Sequence, residues 1–145
     1  MNKIRLVNVK QGTKSTSRFS AGNTLPLIQR PFGMAAFAPQ TERRGCWFYD
    51  PESHSIEGIR LTHQPSPWIN DYGTFLMTPQ NDVIADSAEN AWSGFRPAEA
   101  VMSPSHLDLR FLRSGCRFEL TPTERGGIAR LTFDAGRGAC ISFLP

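Results

Sequence analysis

The feature that most constrains this chain is a strict alternation running through its last third. Leu107, Leu109 and Phe111 fall on one parity, with Asp108 and Arg110 on the other. Cys116, Phe118 and Leu120 alternate with Arg117, Glu119 and Thr121, and Ala129, Leu131 and Phe133 with Arg130 and Thr132. Ala139, Ile141 and Phe143 repeat the pattern once more. Successive side chains of an extended strand point to opposite faces, so a period of two predicts antiparallel strands with one face packed and one solvated. The connectors Arg113-Ser114-Gly115, residues 124–127 and residues 134–138 are rich in Gly and read as hairpin turns.

The first half carries weaker signals. Residues 4–9 alternate loosely and read as a first strand, followed over 10–33 by a long ordered loop. Residues 34–38 form a short apolar run with Pro39 as its stop, and residues 46–49 and 56–62 are further strand candidates. A strand over 75–78 ends at Pro79, and residues 82–90 read as polar and exposed, with one helical turn at 87–91. No amphipathic helix is evident. The fold class expected is all-β, an antiparallel β-sandwich or part of one, occupying residues 1–145 as a single domain or partial domain. The apolar strand just before Pro145 leaves a sheet edge to be covered.

Composition narrows the functional classes. Apolar residues make up 39% and charged residues 20%, which permits a packed core and argues against disorder. Sixteen basic residues stand against thirteen acidic ones, and no basic run exceeds the pair Arg43-Arg44, so no concentrated cationic face for nucleic acid is expected. Cys46, Cys116 and Cys140 have no metal-ligand spacing and read as reduced thiols. Together with an N-terminus lacking a secretory apolar core and the lack of any membrane-length apolar run, this gives a soluble cytoplasmic protein as the expectation.

The stretch GIRLTHQPSPW (58–68) carries the densest set of candidate binding groups. Trp68 offers an aromatic platform, His63, Gln64, Asn70 and Asp71 offer donors and acceptors, and Pro65 and Pro67 stiffen the loop. That set suits a sugar, whose C–H faces stack on rings and whose hydroxyls need polar partners. The bland alternative is a structural loop whose Trp plugs the sandwich. Other constellations are poorer. Ser66, His63 and Asp71 lack a nucleophile elbow, and His54, His63 and His106 lack paired metal spacing. The carboxylates Glu52, Glu57, Asp71, Asp82 and Asp86 show no pairing of the kind glycoside hydrolysis uses. Asp50 before Pro51 reads as a turn initiator, and residues 12–24, without a GK[ST] ending, as tight turns rather than a phosphate loop.

An ordered series of segments resembles glycoside hydrolase family 92, the calcium-dependent exo-α-mannosidases. It runs from VNVKQGT (7–13) through SAGNTLPL (20–27), RPFGMAAFAPQT (30–41), GCWFYD (45–50), IEGIRLTHQPSPW (56–68) and GTFLMTPQ (73–80). RPAEAVMSPSHLDLRFL (96–112) and ELTPTERGGIARLTF (119–133) are similar to the strands that follow in that family. The resemblance implies the N-terminal part of a galactose-mutarotase-like supersandwich. It also implies that Thr62, His63, Gln64 and Trp68 line a mannose-binding cleft, with Phe32 and Gly33 near it. The sequence departs from the family after Thr-His, where Gln64-Pro65-Ser66-Pro67 stands in place of Leu-Ser-Gly. By the same resemblance a separate helical domain would carry the catalytic carboxylates and most calcium ligands, leaving this chain with no catalytic residue and no metal of its own. The expected partners are that helical catalytic domain and a mannose-containing glycan, with a homo-oligomer through the exposed sheet edge as a further possibility. The rival functions are a free-standing carbohydrate-binding module and a self-associating structural domain.

Overall fold

A computed structural model describes residues 3–16, 18–41, 49–63, 73–82, 84–136 and 138–145. Ten strands are found among them: β1 (Ala36–Gln40), β2 (Ser55–Ile56), β3 (Gly58–Thr62), β4 (Gly73–Gln80), β5 (Ser93–Gly94), β6 (Val101–Ser103), β7 (His106–Phe111), β8 (Cys116–Pro122), β9 (Gly127–Phe133) and β10 (Cys140–Leu144). One sheet has the order β1-β3-β4-β10, the second β6-β7-β8-β9, and β2 pairs with β5 between them. Every registered pair is antiparallel. The fold class is therefore all-β, as the alternation predicts.

The two four-stranded sheets share one core. Phe37, Ile59 and Met77 from the first meet Leu107, Leu109, Phe111, Phe118 and Leu120 from the second. Phe111 and Phe118 touch edge to face with ring centroids 6.1 Å apart. Fully burying such side chains contributes about 1.5–3 kcal/mol each. Gly127 is dictated by this packing, because a Cβ there would lie 2.8 Å from the Phe37 ring.

The outer face of the second sheet carries ion pairs across its registers. Asp108 lies opposite Glu119 and Glu119 opposite Arg130. Arg117 donates to both Asp108 oxygens at 3.0 and 2.7 Å, and Arg130 to both Glu119 oxygens at 2.7 Å. The first sheet's outer face is instead covered. Leu76 and Leu144 pack with Ala88 and Ala91, and Ala38 with Leu25. Buried Gln40 accepts from Arg60 at 2.9 Å and donates to Glu57 at 2.5 Å, so the charged groups buried there are hydrogen-bonded.

Several sequence expectations need correction. Lys3–Leu6 is a short 3-10 helix and not a strand; its backbone bonds are local, the Val7 amide donating to the Ile4 carbonyl at 3.3 Å and the Gln11 amide to the Asn8 carbonyl at 3.3 Å. Pro39 and Pro79 do not end their strands. Pro39 lies on β1, an edge strand, and Pro79 pairs with Ile141 beyond the last registered β3–β4 partner, so neither missing N–H breaks a ladder. The segment 134–139 is not a hairpin turn, because it carries the chain from one sheet to the other. Residues 82–90 are only partly exposed, since Ala88 is buried against Leu76. Tyr49 is in no strand, and the rest of the 46–49 candidate lies outside the described residues.

Other expectations hold. The loop over 10–33 forms no named strand among its described residues, touching the sheet through an isolated Ile28–Phe37 bridge. Gly12 and Gly22, at φ 82° and 135°, make its tight turns. The helical turn at 87–91 is closed by the Ala91 amide donating to Ser87 at 3.0 Å. Asp50 caps its turn by accepting from the Glu52 amide at 2.9 Å. Cys116 and Cys140 are free thiols, and Cys46 lies outside the described residues.

Candidate functional site

One end of the sandwich gathers the finish of β3, the starts of β1 and β4, and the β8–β9 turn. A cleft of about 480 Å³ opens there, lined by Met34, Ala35, Leu61, Thr62, His63, Thr74 and Arg125. Its floor is set by the pairing of Thr62 with Ala36 on one side and Gly73 on the other. A register shift falls between Leu61 and Thr62. Such a bulge bends its strand and re-aims the residues that follow. A Cβ at Gly73 would come within 2.8 Å of the Arg60 side chain, which would have to shift to admit it.

The sequence-predicted residues separate into three groups. Thr62 and His63 both line the cleft; Thr62 is buried and His63 exposed. Gln64 and Trp68 lie outside the described residues, as do Asn70 and Asp71. Phe32 and Gly33 are not among the residues lining the cleft, although Met34, next in the chain, is. Phe32 borders a second groove of about 370 Å³ whose wall includes Val7, Leu25, Leu27 and Arg30.

The turn carrying Phe32 is held firmly. The Gly33 amide donates to Arg30 at 2.9 Å, the Gln29 side chain to the Gly33 carbonyl at 2.8 Å, and the Met34 amide to Glu124 at 2.7 Å. Phe32 adopts φ 59° and is fully exposed. A non-glycine residue in the left-handed region costs about 1–2 kcal/mol. Here that cost presents an aromatic ring to the outside rather than to the core. Strain of this kind persists only where surrounding contacts over-determine it, and it clusters at functional positions.

Sequence reasoning missed Met34 and Arg125. Met34 is 71% exposed, where an apolar run predicts burial. Arg125 is a turn residue whose place in the cleft depends on how the second sheet packs on the first, which no local pattern encodes.

The cleft offers an apolar lining with two threonine hydroxyls, an imidazole and a guanidinium. That set can bind hydroxyl-bearing ligands through hydrogen bonds while an apolar surface takes a C–H face. Among the described residues none that lines it is a carboxylate, so these hold no acid–base pair of the kind glycoside hydrolysis uses.

A cluster the sequence did not suggest is His106, Asp108 and Glu119, whose ligand atoms lie within 4.8 Å of one another. It does not fit calcium, which takes six to eight oxygen ligands. One of its three groups is an imidazole, and both carboxylates are clasped by arginines. The Arg117 hydrogen bond holds the Asp108 carboxyl below its usual range, and the Arg130 hydrogen bond does the same for Glu119.

The family model for the glycosyl hydrolase family 92 N-terminal domain matches residues 6–144. The chain belongs to that family, as a domain of its N-terminal type. Among solved structures, the family GH92 inverting mannosidase BT2199 from Bacteroides thetaiotaomicron VPI-5482 superposes with a TM-score of 0.87 at 34% identity, over 97% of this chain and 19% of that one. The family GH92 α-mannosidase BT3965 from Bacteroides thetaiotaomicron gives 0.78 at 25% identity, over 92% and 19%. Its complex with mannoimidazole gives 0.77 at 25% identity, over 92% and 18%. The chain thus spans about a fifth of the length of these mannosidases. No curated protein matches it.

Proposed function

We propose that this domain forms one wall of the substrate cleft of an α-mannosidase, with hydrolysis carried out by a separate helical domain. The observation that carries this reading is the cleft itself. His63, Thr74 and Arg125 join buried Thr62 and the apolar Met34, Ala35 and Leu61 in its lining, and among the described residues no lining residue is a carboxylate. Family membership makes a mannose-containing glycan the natural ligand, and one related mannosidase is solved with mannoimidazole. His63 and Arg125 would bond sugar hydroxyls; in this reading Gln64 adds a further polar contact and Trp68 a stacking ring.

Inverting hydrolysis needs one carboxylic acid to protonate the leaving oxygen and a second carboxylate to activate water on the opposite face. In this reading both lie on the helical domain, as does the calcium that helps distort the sugar. Phe32, presented on its braced turn, and Val7 beside it form an apolar face against which that domain packs. The chain alone is therefore catalytically silent.

Saturation-transfer NMR with α-1,2-mannobiose and calcium tests the proposal. The expected result is weak transfer to the sugar, reduced several-fold by Arg125→Ala, and no mannose release over a day. Mannose release would place the catalytic carboxylates within these 145 residues. No transfer, with the fold intact, would leave a structural domain and remove the substrate-wall role.

A further inference from the structure

The outer face of the second sheet brings three metal-ligand groups together. His106 and Asp108 are two apart on β7, so their side chains share a face. The register sets Glu119 of β8 directly opposite Asp108. One donor atom from each of the three lies within 4.8 Å of the others, and no other such trio of His, Cys, Asp or Glu forms among the described residues. None of the three lines the cleft. The spacing of histidines along the chain gives no sign of this cluster, because His106 finds its neighbours in carboxylates and not in a second histidine.

The two carboxylates are held in place. Their side chains are only 19% and 12% exposed. Arg117 reaches both oxygens of Asp108, and Arg130 both oxygens of Glu119. A carboxylate offers about four lone-pair positions and a forked guanidinium takes two, so each oxygen keeps one for another partner. Carboxylates that ligate metals are commonly hydrogen-bonded by such outer groups, which orient them. The His106 ring, in contrast, makes no hydrogen bond to any described residue; only its carbonyl is engaged, accepting from the Ser103 hydroxyl at 3.2 Å. A half-buried imidazole beside two fixed carboxylates is a donor set that lacks its acceptor.

We propose that His106, Asp108 and Glu119 form a binding site for a divalent transition-metal ion of the zinc type. The donors decide the class of ion. Hard cations such as calcium and magnesium take oxygen, whereas an imidazole selects zinc and its transition-metal neighbours. Zinc accepts one nitrogen and two carboxylate oxygens at about 2.0–2.2 Å, with water in the fourth position. Such bonds set the donors about 3.4 Å apart, so modest side-chain rotations from the present separation close the site. Charge sets the strength. The ion meets the carboxylates at bonding distance and the guanidiniums one layer farther out, so attraction exceeds repulsion, but by less than an acidic pair without arginines would give. Binding is therefore moderate, and it ties β7 to β8 across the ladder. The inference does not depend on sugar binding.

Zinc titration of the 145-residue chain, freed of metal by a chelator, tests it. Calorimetry is expected to show one saturable site, at least ten-fold weaker in Glu119→Gln and in His106→Ala and unchanged in His54→Ala. Zinc should raise the melting temperature of the unaltered chain and not of the double variant His106→Ala, Glu119→Gln. In long-range proton–nitrogen NMR the ring nitrogens of His106 should shift with zinc while those of His54 stay in place, and calcium should move neither. No saturable zinc binding would overturn the proposal and leave the cluster as part of the ion-pair lattice. Binding that persists in both single variants would overturn it too, by placing the ion on the thiols or the other histidines. So would a calcium response equal to that of zinc, because the imidazole would then have no part in the site. If His106→Ala does not fold, Glu119→Gln and the His106 ring shifts in the unaltered chain still decide.

Discussion

β8 and β9 are neighbours in one sheet with the same alternating sequence, yet they live in different environments. Inward residues of β8 are sealed, while those of β9 are half open to water. The difference lies not in either strand but in what stands on its far side. β8 has β7 on one flank and β9 on the other, whereas among the described strands β9 pairs with β8 alone. Hydrophobic pattern states which face seeks the core, but neighbours decide how much of it is covered.

The largest expected effect exploits this contrast. Phe118→Ala empties a fully buried site and should cost about 3–5 kcal/mol, whereas Leu131→Ala at the facing position should cost about 1 kcal/mol. Urea unfolding of both variants measures the gap, and equal losses would mean the open side is closed in solution. A smaller effect of opposite sign is expected at the strained turn. Phe32→Asn keeps the left-handed backbone with a residue that tolerates it, and should stabilise by about 0.5–1 kcal/mol. Thermal melting reads this, and a loss of stability would mean the ring packs on the domain itself.

A further test concerns the charged face over the same strands. Asp108 is held below its unfolded value by Arg117, so its stabilising contribution is fully present above pH about 4 and is lost as pH falls through the folded value. Asp108→Asn should therefore lower stability at pH 7 and flatten the acid limb below pH about 4, seen by denaturation at several pH values. An unchanged acid limb would show that the pair contributes nothing, as many exposed pairs do. The smallest perturbation probes accessibility alone. Burial pushes the Cys116 thiol up to about 11, so Cys140 on open β10 should alkylate well before Cys116, as peptide-resolved mass spectrometry would show. Equal rates would mean that β8 opens as readily as β10.

Much of the fold was legible before any coordinates. The inward parity of residues 107–133 is local information, because side chains two apart on a strand must share a face. Thr62 and His63 both fall on one cleft, as residues adjacent in the chain readily do. Met34 and Arg125 were not picked out, because they reach the cleft from the ends of two different sheets. The two prolines were misread as stops because their tolerance depends on which side of the strand carries a partner, which sequence does not state.

The sequence alone determined the class: period-two patterning admits little but an antiparallel sheet, and an ordered set of motifs tied the chain to its family. Tertiary structure decided the rest. It placed β9 and β10 at the edges of different sheets instead of in one hairpin, brought Arg125 to Thr62, and left one side of the core unfinished. These are consequences of long-range pairing, where the free energy depends on strands distant in sequence and not on any local preference.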